Sequence, residues 1–121
     1  MKYLVYGLAG LVVIAIGAGV YEELLFRLVA IAAIHAIAKD LLSLPEEVCV
    51  IAAVAISSLG FALVHFVGGV NPFTMTKMLF YTVAGVYFAA IYLTRGFGIV
   101  VAVHALYDVL VFTKLAMARG A

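Results

Sequence analysis

Residues 3–44 read YLVYGLAGLVVIAIGAGVYEELLFRLVAIAAIHAIAKDLLSL, a predominantly apolar stretch without a proline. As one straight α-helix it would run ~63 Å, about twice the ~30 Å hydrocarbon core of a bilayer. It is therefore expected to break, and Gly17 and Gly19 are the expected place, because closely spaced glycines weaken a helix and tolerate unusual backbone angles. Residues 3–20 then form one apolar span, and Glu22, Glu23 and Arg27 open the next. Lys2 before the apolar run and the small residues Gly17-Ala18-Gly19 also resemble a secretory signal. The spans that follow favour a signal anchor or first transmembrane helix.

The rest of the chain continues the pattern. Lys39-Asp40 and Ser43-Leu44-Pro45-Glu46-Glu47 predict an interfacial loop and a helix start, with Ser43 as N-cap and Pro45 and the two glutamates in the first turn. Residues 48–67 make a span that Gly68-Gly69-Val70-Asn71-Pro72 end. Residues 73–93 make another, Thr94-Arg95-Gly96 a tight turn, and 97–117 the last. The 121 residues are 69% apolar and only 11% charged, against ~45–50% and ~25% in soluble domains. The expected fold is all-α, a polytopic transmembrane bundle of four to five helices, with residues 1–121 forming a single domain. The chain is thus expected to be a multi-pass integral protein, of the cell membrane, with lipids around it.

Net charge is +1 with no basic stretch, which excludes a nucleic-acid partner on electrostatic grounds. The single cysteine, Cys49, excludes an intramolecular disulfide and is expected to be a small apolar filler. With five spans, Lys2, Lys39 and Arg95 fall on one side and Lys77, Lys114 and Arg119 on the other, an even division that sets no orientation.

The informative residues are the ionisable ones inside apolar runs. Charged groups near a helix centre cost ~2.5–3.5 kcal/mol each, so Glu22, Glu23, Arg27 and Asp108 together could cost on the order of 10 kcal/mol. Mutual pairing is the first offset. Glu23 and Arg27 are four apart in the favourable acid-before-base order and are expected to form a structural pair. Glu22 lies about 140° around the helix from Arg27, which leaves this carboxylate for other work. Phe61 and His65 repeat the spacing of four, as do His104 and Asp108. His35 is expected to be a packing histidine, and Tyr81, Tyr87, Tyr92 and Phe97 interface and packing aromatics. A glutamate with imidazoles on neighbouring helices suits general-base activation of water, with His65 orienting the oxygen and His104 with Asp108 stabilising an oxyanion. The same set, Glu22, His65 and His104, is also a conceivable zinc site, although H-E-x-x-H is absent. Cofactor-free hydrolysis is the expectation, zinc the alternative.

Glu22-Glu23-Leu24-Leu25-Phe26-Arg27 is E-E-x-x-x-R, Phe61 to His65 is F-x-x-x-H, and His104 to Asp108 is H-x-x-x-(N/D), in that order. With Tyr92-Leu93-Thr94-Arg95-Gly96 before the last helix, residues 18–115 resemble the CAAX protease and bacteriocin-processing (CPBP, or ABI) family, which includes the CAAX prenyl endopeptidases. The resemblance implies a glutamic intramembrane endopeptidase, sometimes described as a metalloprotease, that acts on a peptide or lipidated peptide in CAAX-type processing. It implies Glu22 as base, His65 as its partner, His104 and Asp108 at the oxyanion, and Glu23, Arg27 and Phe61 in support. Three departures stand out: Leu28 replaces a common glycine, Asp108 replaces the asparagine of the prenyl proteases, and one apolar segment precedes the first motif where many members carry more. An ionised Asp108 cannot donate to an oxyanion, so it would be protonated, orient His104 or bind a metal. The alternative from another class is a non-catalytic immunity or interaction protein that keeps the polar cluster as interhelical glue; homo-oligomerisation is left open.

Overall fold

The computed structural model describes residues 1–69 and 71–120; Val70, within the expected glycine-rich span end, lies outside the described residues. Among these residues it is 87% helical with no strand, and four rods are long and apolar enough to cross a membrane. The first is continuous from Lys2 to Leu41. It comprises α1 (Lys2–Glu23), a π-helical turn Leu24–Val29, α2 (Ala30–Ala36) and a second π-helical turn Ile37–Leu41. The others are α3 (Glu46–Val64), α4 (Met75–Arg95) and α5 (Phe97–Gly120).

The expected break at Gly17 and Gly19 is not made. A Cβ at Gly19 would lie 3.1 Å from the Ala105 backbone nitrogen, so this glycine lets α5 approach closely instead of bending α1. The two π-helical turns carry the irregularity of the long rod, and such turns are frequent at functional sites. Four crossings, not five, follow from the unbroken rod. Ser43 is not an N-cap either: its φ of 53° closes the first rod, with the Leu44 N–H returning to the Ala38 carbonyl. Pro45 is the residue before α3, where its fixed φ suits a helix start and Glu46 and Glu47 occupy the first turn. At the α4–α5 turn Gly96 has φ 92°, as its position between two helices demands.

α1 packs along α5 and α3 along α4, with α2 against α3. Two buried layers fill the contacts: Ile31, Ala53 and Ala89 form one, and Phe61, Phe88 and Val100 another beside the polar residues. The outward surface is apolar, including Val13, Ile14, Ile51, Val83 and Leu110, the inverse of a soluble protein and the surface lipid requires. Where the first rod meets α3, Glu46 accepts from His35 at 2.8 Å and pairs with Lys39 at 3.1 Å. His35 thus ties two helices across the short connection. Cys49 is buried, its Sγ 3.4 Å from the Leu44 carbonyl oxygen.

Candidate active site

Three sequence-distant segments bring their polar residues to one level of the bundle. On the first rod, Glu23 and Arg27 are both fully buried, with Arg27 Nε 3.2 Å from Glu23 Oε2. That contact is off-axis, a charge contact and not an aligned hydrogen bond. Arg27 Nη2 donates to the Gly85 carbonyl at 2.9 Å, and the guanidinium lies 4.9 Å from the Phe61 ring centre and 5.9 Å from that of Phe88. Gly85 has no side chain at this crossing because a Cβ there would lie 3.1 Å from Ser58.

His104 occupies the centre. Its Nδ1 is 2.7 Å from Glu23 Oε1, and its Nε2 is 3.2 Å from Glu22 Oε2 and 3.5 Å from Asp108 Oδ2. Phe88 stacks on the imidazole at 4.5 Å and 12°. Glu22 Oε2, Asp108 Oδ2 and His104 Nε2 would repel one another as bare lone pairs, so at least one proton sits among them. Glu23 therefore has two partners, Arg27 and His104. The second was not legible in the sequence, since no spacing rule links residues 81 apart.

His65 stands at the C-terminal end of α3. Its Nδ1 lies 2.7 Å from the Phe61 carbonyl oxygen. A carbonyl only accepts, so Nδ1 carries the hydrogen and, in the neutral ring, Nε2 keeps its lone pair. Tyr81 stacks on the same ring at 4.2 Å and 18°, and Phe61 meets it edge-on at 4.7 Å. Tyr81, expected to be an interface aromatic, is thus a wall of the site. No direct hydrogen bond or ion pair joins His65 to Glu22 among the described residues.

What Glu22 and His65 share is a cavity of about 260 Å³, lined also by His104, Asp108, Tyr81 and Phe88. Glu22 keeps 24% of its side chain exposed, whereas Glu23 is sealed, so of the two adjacent carboxylates only Glu22 reaches this space. The cavity lies toward the end of the bundle that carries the 65–74 connection, because His65 ends α3 and Tyr81 sits near the start of α4. Tyr107, Val111 and Phe112 from α5, Ala18 from α1, Phe61 from α3 and Phe80 and Ala84 from α4 complete its largely apolar wall. Among the described residues, no group of three or more His, Cys, Asp or Glu side chains is arranged as a metal-ligand set.

No curated protein and no solved structure matches the chain. A family model does, the Rce1-like type II CAAX prenyl endopeptidases, over residues 4–110. That match takes in the E-E-x-x-x-R, F-x-x-x-H and H-x-x-x-D segments and reaches into all four rods, and the chain accordingly belongs to the Rce1-like branch of the CPBP intramembrane proteases.

Proposed function

We propose that the chain hydrolyses a peptide bond near the C-terminus of a prenylated CAAX-type substrate, with Glu22 as general base. The observation that carries this is the single apolar-walled cavity into which Glu22, His65, His104 and Asp108 all open. A water held between Glu22 and His65 Nε2 would lose a proton to Glu22 as its oxygen attacks the carbonyl carbon, the imidazole fixing the oxygen by accepting its other hydrogen. His104 Nε2, bearing the proton that its crowding with Glu22 and Asp108 requires, would donate to the developing oxyanion. Asp108 would act by orienting His104, a role open to a carboxylate that donation is not. Glu22 would then pass its proton to the leaving amine.

Orientation follows from the four crossings. Lys2, Lys77, Lys114 and Arg119 fall on one side and Lys39 and Arg95 on the other, which favours the first side as cytoplasmic. The cavity end with the 65–74 connection would face the cytoplasm, where a lipid-anchored peptide tail is presented.

The test is cleavage of a prenylated peptide ending in a CAAX sequence by purified protein in lipid, alongside Glu22→Ala, His65→Ala and His104→Ala. Loss of cleavage in each is expected; unaltered cleavage in all three overturns the assignment. Elemental analysis and chelation decide the cofactor: activity that survives chelation of metal-free protein supports direct activation of water by Glu22, and loss restored by zinc overturns it.

A further inference from the structure

The connection after α3 contains a second polar cluster that the chemistry above does not use. Asn71 Nδ2 lies 3.1 Å from the His65 carbonyl oxygen and 3.3 Å from the Tyr81 hydroxyl, and Lys77 Nζ lies 2.9 Å from Asn71 Oδ1. An ammonium only donates, so Oδ1 must face Lys77, and the amide NH₂ must then face His65 and Tyr81. The local backbone supports this placement. Gly68 and Gly69 have φ of 94° and 71° and turn the chain back, Pro72 disfavours a helical backbone at Asn71, and the Thr74 hydroxyl caps α4 by accepting from the Lys77 N–H at 3.2 Å.

We propose that Asn71 is a positioning residue for the His65 imidazole. Its amide ties the backbone carbonyl of His65 and the hydroxyl of the tyrosine whose ring lies flat on that imidazole, so one side chain fixes both the backbone that carries the ring and the face of the ring. The Phe61 carbonyl then has a ring in one place to accept from, and Nε2 stays directed into the cavity. Lys77 acts one step further out, by holding the amide in its only productive flip. The effect on turnover rests on the peptidase reading above; the effect on the ring does not.

The experiment compares wild type with Asn71→Asp, Asn71→Ala, Tyr81→Phe and Tyr81→Leu in lipid. Each is measured by nitrogen NMR of ¹⁵N-histidine-labelled protein, with the His65 signals assigned by His65→Gln, and by kinetics on the prenylated CAAX peptide. Asn71→Asp is nearly isosteric and keeps the Lys77 contact while losing the donor, so it serves if Asn71→Ala does not fold. Wild type is expected to show His65 protonated at Nδ1. Asn71→Asp and Tyr81→Leu are expected to give mixed tautomers and about a tenfold lower kcat with KM within about twofold, and Tyr81→Phe about a twofold loss. A His65 spectrum unchanged in Asn71→Asp and Tyr81→Leu overturns the proposal, as does a loss confined to KM. Wild type that cleaves nothing overturns the peptidase reading alone, because the His65 spectra still decide whether Asn71 positions the ring.

Discussion

Glu22 and Glu23 are neighbours in sequence and differ in almost everything the fold does with them. Glu23 is sealed between Arg27 and His104, in a region where Gly85 supplies a carbonyl and two phenylalanine rings flank the guanidinium. Glu22 faces a cavity with two imidazoles and a second carboxylate. The first region is closed polar packing and the second opens to the cavity, and His104 belongs to both. Burial alone therefore does not separate the proposed base from its neighbour; access to the cavity does.

The sharpest way to break that contrast is to exchange the carboxylates for amides one at a time. Glu22→Gln is expected to lower kcat by ~10³-fold or more, in the range for a lost general base, with an unchanged unfolding midpoint. Glu23→Gln is expected to lower the midpoint as well. Kinetics and thermal unfolding on the same samples check both, and a Glu22→Gln protein with full activity would erase the distinction.

The closed region can be tested from its other half. Arg27→Met leaves Glu23 buried without its cation, and breaking a buried pair this way costs ~3–5 kcal/mol. Unfolding in detergent mixed micelles should show a loss of that size, larger than for any substitution on the cavity wall. Gly85→Ala probes the same region through packing. Its Cβ would lie 3.1 Å from Ser58 and 3.2 Å from a Phe61 ring carbon, on a backbone whose carbonyl holds Arg27. Overpacking of this kind costs ~1–3 kcal/mol, and the upper part of that range is expected by the same measurement.

Much of this was legible from residue order. The apolar runs gave the helices and their approximate ends, and the spacing of Glu23 to Arg27 predicted a pair that the fold makes. What was not legible depends on contacts across helices. Tyr81 has no spacing signal that distinguishes a cavity wall from a lipid-facing ring, and it stacks on His65 only because the 65–74 connection folds α4 back against α3. Asn71 read as loop punctuation, and its three hydrogen-bond partners come from that same reversal. The break expected at Gly17 and Gly19 is not made for a related reason: a glycine that weakens a helix and a glycine that admits a neighbouring helix look the same in one sequence.

The smallest expected effect separates those two uses of glycine. Gly17 has open space where a Cβ would go, whereas Gly19 would press one against the Ala105 backbone at 3.1 to 3.2 Å. Both are interior to α1, so helix propensity alone would make Gly→Ala mildly stabilising at each, by roughly 0.5–1 kcal/mol. At Gly19 the clash should reverse the sign, with a net loss of ~1–2 kcal/mol and a displacement of α5 that moves His104 away from Glu22. Gly19→Ala should therefore lower kcat along with the unfolding midpoint, and Gly17→Ala should lower neither. Equal behaviour of the two variants would mean that α1 and α5 do not meet at Gly19. The polar centre would then lack the close crossing that brings an α5 histidine between two α1 carboxylates.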